Sequence, residues 1–98
     1  MDMETLMAQA QDLQTKISAA QDSLAQQQVK GIAENGAVIV SMTGKYDILS
    51  VVVRPETLSL GAEKVSELVA DAYKDAKEKA DVLIEKTMSA VTGSLSED

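Results

Sequence analysis

The sequence contains no cysteine, histidine, phenylalanine or tryptophan, and it has only two tyrosines and one proline. Without cysteine there is no disulfide framework, and no thiolate can serve as a nucleophile or metal ligand. Without histidine the chain lacks the base of Ser–His and Cys–His nucleophile systems, which excludes enzymes of that kind. Because aromatic side chains bury the largest area per residue, a core of aliphatic residues and methionine gains less from each position.

Long apolar runs are also missing. The longest, from Ile48 to Val53, is interrupted by Ser50 and is far shorter than the roughly 20 residues that span a bilayer. The first residues, Met1 to Glu4, lack the positive charge and the apolar segment of a signal peptide. These absences predict a cytoplasmic protein that does not enter the membrane.

The charge is unbalanced toward acids. Sixteen Asp and Glu residues against nine Lys and Arg residues give a net charge of −7. We interpret this excess mainly as a source of solubility, because a net charge keeps small proteins apart in solution. It also predicts that most of the surface repels nucleic acids and anionic membranes.

Two long amphipathic segments occupy the ends of the chain. Along both, apolar residues recur in steps of three and four, which is the spacing of one helix face. The first stripe consists of Met3, Leu6, Ala10, Leu13, Ile17, Ala20 and Leu24, and the second of Val65, Val69, Ala72, Ala76, Ala80, Leu83 and Ile84. The stripes predict helices from about Asp2 to Gln28 and from about Ala62 to Val91.

The first helix is too long for a compact domain. At 1.5 Å per residue it would measure roughly 40 Å, whereas a domain of this length has a radius of gyration of about 13 Å. We therefore expect the helix to project beyond the sheet and to need the last helix, a second chain or both. Its flanking positions lack the complementary charges of a parallel zipper, which favours antiparallel packing against the last helix. We also expect a homodimer.

Three short β segments lie between the helices. They are Val29–Ala33, Ala37–Met42 and Ile48–Val53, and the Asn35-Gly36 pair between the first two favours a hairpin. A proline then ends the third segment, because it cannot donate a ladder hydrogen bond. We predict an α+β fold, α-β-β-β-α, with an antiparallel meander. It forms one domain over residues 1–98, with an acidic tail from about residue 93 to 98 predicted to be disordered.

The second and third strands are apolar on both faces. Helices cover only one face of such a sheet, so the other face or an edge is expected to meet a partner. We predict that the homodimer interface includes Val38, Val40, Ile48 and Val52.

Motifs that carry chemistry are weak in this chain. Gly31 and Gly36 have the glycine spacing of a phosphate loop, but Ala37 stands where its lysine is required, so we prefer the hairpin interpretation. Asp71 and Asp75 share a helix face, yet nothing completes a ligand set, and we interpret them as solvated residues that hold no metal. No cofactor is predicted, and an enzyme is the least favoured function.

Other residues of the last helix have simpler expected roles. Tyr73 falls on the apolar stripe, which predicts a core position with its hydroxyl at the edge. Asp75 and Lys79 have the favourable order of a four-residue ion pair, and Lys77 and Asp81 have the less favourable order.

Four segments, in order, resemble one bacterial family. They are Leu6–Gln14 for its opening helix, Gly36–Gly44 for its run of alternating valines between glycines, Ile48–Pro55 for its next strand and terminating proline, and Val65–Ala76 for its second helix. Together, from about residue 4 to about residue 92, the chain resembles the YbaB/EbfC family of nucleoid-associated proteins.

The resemblance implies a homodimer whose sheets join and whose helices project. It also implies duplex DNA as a partner, bound with little sequence preference, and roles in nucleoid organisation and gene regulation. We expect the DNA contacts to come from Lys16, Lys30, Lys45, Lys74 and Lys77. The alternative is an acidic protein-binding scaffold or chaperone-like dimer. Chains with long terminal helices also resemble prefoldin subunits, and exposed Met and Leu near the helix tips could hold apolar segments.

Overall fold

The computed structural model describes the backbone of residues 2–96 and the side chains of residues 2–93. Two helices flank a three-stranded sheet. The elements are α1 (Met3–Gln26), β1 (Gln28–Ala33), β2 (Val38–Thr43), β3 (Ile48–Val53) and α2 (Ala62–Ser96), with 3-10 turns at Glu34–Gly36 and Pro55–Leu60. This order confirms the predicted α-β-β-β-α arrangement.

The chain is elongated, with extents of 68 × 18 × 16 Å and a radius of gyration of 19.2 Å. A compact domain of the same length would have a radius of gyration of about 13 Å. The difference confirms that the helices extend beyond the sheet. No helix within residues 2–96 is both long and apolar enough to cross a membrane.

The strands form an antiparallel meander in the order β1-β2-β3. The β1–β2 hairpin turns at Asn35 and Gly36, whose φ angles of 56° and 96° lie in the left-handed region that this pair tolerates. Between β2 and β3 the register shifts after the pair Ser41–Ser50, which leaves Leu49 as a bulge. A bulge bends and twists its strand, so β3 departs from the regular ladder.

Helix α2 crosses the sheet over β1 and β2 at very short distance. A Cβ atom on Gly31 would lie 1.9 Å from the carbonyl oxygen of Ala72 and 2.3 Å from the backbone nitrogen of Ala76. The buried core consists of Ala33, Val38, Val40, Met42, Leu68, Ala72, Ala76 and Ala80. Alanines on α2 and a glycine on β1 let the two backbones meet. Strand β3 lies beside this contact, and most of its residues are exposed.

Beyond the sheet, α2 continues along α1. Helix α1 runs toward the sheet and α2 runs away from it, so the two helices are antiparallel, as predicted. Ala20 and Leu24 are buried, and the N–H of Gly44 donates to the carbonyl of Leu24 at 2.9 Å, which ties the end of α1 to the β2–β3 turn. Toward the N-terminus of α1 the apolar stripe is exposed to solvent, and the exposed fractions of Met3 and Leu6 reach 73% and 47%.

The predicted ends of both helices differ from those observed. Helix α1 ends at Gln26 rather than Gln28, because Gln27 already has extended angles (φ −91°, ψ 147°) and leads into β1. Helix α2 continues to Ser96 rather than fading near Val91.

A single glycine does not stop α2. Gly93 remains inside the helix, since one glycine lowers helix stability by only about 1 kcal/mol. Glu97 and Asp98, the acids on which the expected disordered tail depends, lie outside the described residues. The tail therefore stays a prediction.

Candidate nucleic-acid interface

Three of the five lysines predicted to contact DNA lie on one side of the fold. Lys45 is exposed in the β2–β3 turn, next in sequence to Tyr46. Lys77 on α2 places its Nζ 5.9 Å from the ring centroid of Tyr46. Lys74 is exposed three residues before Lys77, which makes the two neighbours on the helix surface. We call Lys45, Lys74 and Lys77 the lysine cluster.

Tyr46 joins the β2–β3 turn to helix α2. Its φ of 68° lies in the left-handed region, which is unusual for a bulky residue. Its hydroxyl donates a hydrogen bond to the carboxylate of Asp81, and this bond raises the pKa of Tyr46 because ionisation would destroy it. The Thr43 hydroxyl also accepts bonds from the N–H groups of Lys45 (3.1 Å) and Asp47 (3.2 Å). The turn therefore presents Lys45 from a supported backbone.

Acidic residues lie among the lysines of the cluster. The amine of Lys77 is 3.7 Å from the carboxylate of Asp81, which confirms that predicted pair. Asp71 and Glu78 are three residues before and four residues after Lys74, so both share its surface of the helix. The local field is therefore only weakly cationic, and any bound anion has to compete with these carboxylates.

Lys16 and Lys30 are separated from the cluster. Lys16 pairs with Asp12 at 3.1 Å and lines a hollow between α1 and α2. Gly31 faces α2, and neighbouring side chains of a strand alternate between faces, so Lys30 extends from the opposite face of the sheet. The five predicted lysines thus form no single surface on one chain.

Tyr73 is not in the core, which corrects its predicted position. It is 38% exposed and close enough to Tyr46 to affect the ionisation of that residue. Ala72 and Ala76 occupy the core instead, because α2 lies too close to the sheet for larger side chains.

The joining role of Tyr46 was missed because its partner Asp81 is 35 positions away in sequence. A tyrosine in a turn was the only local signal.

A second exposed surface lies on the sheet face opposite α2. The strand register aligns Ile32, Ile39 and Val52 across the three strands, and we call them the apolar row. Ile32 is 46% exposed and Val52 is 53% exposed. No strand in the described part of the chain pairs with the outer edge of β3. Apolar surface and an unpaired edge therefore occur together on β3.

The predicted dimer interface is revised by these positions. Val38 and Val40 are only 0% and 1% exposed, because both side chains face α2 and belong to the core of a single chain. They cannot contact a second chain directly. Ile48 and Val52 are each more than half exposed and remain available for an interface.

Comparisons with known proteins cover almost the whole chain. The family profile described as "YbaB/EbfC DNA-binding family" matches residues 1–95. A nucleoid-associated protein of Bradyrhizobium sp. (strain BTAi1) is 36% identical over 95 residues, covering 96% of this chain and 90% of that protein. One from Bordetella avium (strain 197N) is 38% identical over 90 residues, covering 92% and 83%.

A solved structure shows the same fold. It is the crystal structure of the uncharacterized protein HP0035 from Helicobacter pylori, with a TM-score of 0.64 and 17% sequence identity. The match covers 90% of this chain and 98% of that chain.

Proposed function

Because this chain belongs to the YbaB/EbfC DNA-binding family, we propose that it is a homodimer that binds duplex DNA with little sequence preference. This is a nucleoid-associated DNA-binding family and not an enzyme family. We infer a location in the cytoplasm at the nucleoid, and roles in nucleoid organisation and gene regulation. The nucleoid-associated names of relatives with 36% and 38% identity support this inference.

The lysine cluster is the observation that carries DNA binding. Lys45 is exposed in the turn that Tyr46 joins to α2, and the ammonium of Lys77 lies over the Tyr46 ring. Lysine is a flexible point charge that commonly binds phosphate, whereas the guanidinium of arginine presents a rigid fork of donors. Contacts from such a cluster go to phosphates, which are the same in every sequence. Little sequence preference follows from this chemistry.

The acidity of the chain predicts weak binding that depends strongly on salt. Each subunit has a net charge of −7, and the lysine cluster is interspersed with carboxylates. Affinity must therefore come from counterions that a few lysines release from DNA, and each phosphate contact contributes about −0.9 to the slope of log K against log salt. Two-fold symmetry doubles the number of lysine clusters in the dimer.

The apolar row and the free edge of β3 support the homodimer. An exposed strand edge with apolar side chains invites pairing with another chain. Pairing between two β3 strands would join two sheets into one and shelter Ile48 and Val52.

DNA binding is tested by fluorescence anisotropy with a labelled random-sequence duplex at about 50 and about 200 mM salt, the range in which phosphate contacts lose affinity. We expect saturable binding that weakens steeply with salt. The double variant Lys45→Gln/Lys77→Gln should bind more weakly and lower the salt slope by about 2 per engaged subunit. The control Lys64→Gln/Lys86→Gln changes the net charge equally at exposed positions of α2 and should keep most of the affinity.

Two results would contradict this proposal. One is the absence of any complex at the lower salt with duplex in excess. The other is equal loss of affinity in both double variants, which would mean that only net charge matters and that the lysine cluster has no special role.

The homodimer is tested by analytical ultracentrifugation of two matched variants. Val52 on β3 and Val82 on α2 are 53% and 52% exposed in the single chain. We expect Val52→Asp to yield folded monomers, because it would place a charge in the subunit contact, while Val82→Asp keeps the wild-type mass. A monomeric wild type, or equal behaviour of the two variants, would contradict the proposed interface.

A protein-binding scaffold is the second candidate, and the open part of α1 favours it. Met3, Leu6 and Met7 are 73%, 47% and 59% exposed on one helical stripe. Flexible methionines suit surfaces that hold varied apolar segments. The test is suppression of aggregation of an unfolding client protein, compared between wild type and Leu6→Ser/Met7→Ser. No suppression by the wild type would remove this candidate.

A further inference from the structure

Two side chains of α2 form hydrogen bonds with backbone groups on the outer edge of β1. The N–H of Ile32 donates to the Asp75 carboxylate at 2.9 Å. The Lys79 ammonium donates to the carbonyl of Lys30 at 2.7 Å. The two side chains also pair with each other at 2.9 Å, which confirms the ion pair expected from their spacing. Asp75 is thus a strand partner and not only a solvated acid.

These bonds reproduce the contacts of an added strand. Residues 30 and 32 flank Gly31 on the edge strand, and their backbone groups point to the same side. In a parallel ladder, one residue of the incoming strand donates to one carbonyl and accepts from the N–H two residues further on. Lys79 supplies that donor and Asp75 supplies that acceptor, opposite Gly31.

The arrangement depends on how closely α2 approaches β1. Because Gly31 allows the α2 backbone to touch the strand, residues one turn apart on the side of the helix reach past the strand to its edge. The hydrogen bond from Ile32 and the ammonium of Lys79 hold the pKa of Asp75 below its usual value, so the carboxylate stays charged at neutral pH.

The two edges of the sheet are therefore different. At β3 the edge is free of partners in the described part of the chain and carries apolar side chains such as Val52. At β1 the central donor and acceptor are already bonded. A sheet with two open edges can add chains at both sides without limit, whereas a sheet with one open edge closes after one isologous contact.

We propose that the Asp75–Lys79 pair closes the β1 edge to strand addition, so that a second copy of this chain joins the sheet only at β3 and assembly stops at two. The statement that a second copy occupies the β3 edge rests on the homodimer of the proposed function. The closure of the β1 edge does not depend on it.

The test compares Asp75→Ala/Lys79→Met with wild type by light scattering after size exclusion, over a hundredfold range of protein concentration. Methionine keeps the apolar stem of Lys79 but removes its donor. We expect species larger than wild type whose fraction rises with concentration. The control Asp12→Ala/Lys16→Met removes another four-residue pair, on α1 and away from any strand edge, and should keep the wild-type distribution. Circular dichroism verifies that each variant is folded.

A folded Asp75→Ala/Lys79→Met variant with the wild-type distribution would overturn the proposal. If that variant does not fold, the single variant Asp75→Ala is used, because alanine lacks the oxygen that accepts from the Ile32 N–H, and amide exchange of Ile32 is measured by NMR. Exchange at least about tenfold faster than in wild type supports the closure, and unchanged exchange overturns it. A monomeric wild type would refute the homodimer alone, because the comparison of variant with wild type still tests the β1 edge.

Discussion

Replacing Gly31 by alanine tests the central contact of the fold. The added Cβ would lie 1.9 Å from the carbonyl oxygen of Ala72 and 2.3 Å from the backbone nitrogen of Ala76. Both are backbone atoms, so no side-chain rotation can relieve the clash. Moving from 1.9 Å to an ordinary contact of 3.4 Å requires a shift of about 1.5 Å in α2 or β1.

Two effects of opposite sign determine the free energy of unfolding of Gly31→Ala. Fewer conformations of the unfolded chain would stabilise the variant by about 0.4–1 kcal/mol. Overpacking of a close contact costs about 1–3 kcal/mol and occasionally more. Because the contact joins two backbones, we expect the upper part of that range and a net loss of about 2–3 kcal/mol. For a domain of this size the melting temperature should fall by roughly 10–20 °C.

Urea unfolding followed by circular dichroism measures this change. The experiment uses equal protein concentrations throughout, because self-association makes apparent stability depend on concentration. Gly93→Ala is the matched control, since a Cβ there would meet nothing within 4 Å. In the interior of α2 that substitution should stabilise the protein by up to about 1 kcal/mol.

The two glycine variants should therefore change stability in opposite directions. If Gly31→Ala unfolds at the same or a higher urea concentration than wild type, α2 does not lie as close to β1 as described. That result would also remove the basis on which Asp75 and Lys79 reach the strand edge.

Three further predictions concern single side chains. We expect Asp75→Asn to be less stable than wild type above about pH 4, because the fold favours the ionised form of the Asp75 carboxylate. The difference in stability should disappear as the pH falls through the lowered pKa of Asp75, and urea unfolding at a series of pH values measures it. Glu78 lines the same hollow as Asp75, so Glu78→Gln serves as the control. Tyr46→Phe should lower the stability and remove the phenol ionisation whose pKa the bond to Asp81 raises, as measured by ultraviolet titration; if a phenol with raised pKa is still present in the variant, it is not Tyr46, and the bond to Asp81 is refuted. Glu34→Gly should raise the melting temperature, because Glu34 has a φ of 50° that glycine adopts without strain; a lower value would contradict this.

Local patterns predicted the elements well. The stripes predicted both helices, β3 was placed at its observed bounds of Ile48–Val53, and the hairpin turned at Asn35 and Gly36. These features depend on neighbouring residues, and a sequence pattern contains that information. The position of Tyr73 was wrong for the same reason: a stripe shows which side of a helix is apolar, but not how near the opposing layer lies.

The candidate site was only partly predictable. The sequence named five lysines for DNA contacts, but it could not show that Lys77 lies over the ring of Tyr46, the neighbour of Lys45, while Lys30 lies on the other face of the sheet. The first fact depends on the contact of the β2–β3 turn with α2 and the second on the contact of β1 with α2, and both contacts join segments that are distant in sequence. Tyr46 makes the contact, and nothing in its immediate neighbourhood predicts it.

By itself, then, the sequence determined the order of helices and strands, the acidic character of the surface and the family. Periodicity, turn residues and charge are properties of short stretches of chain, and they hold however the elements are placed. Only the tertiary structure decided which edge of the sheet is open. That outcome depends on the contact of Gly31 with α2, because only at that distance do Asp75 and Lys79 reach the backbone of β1.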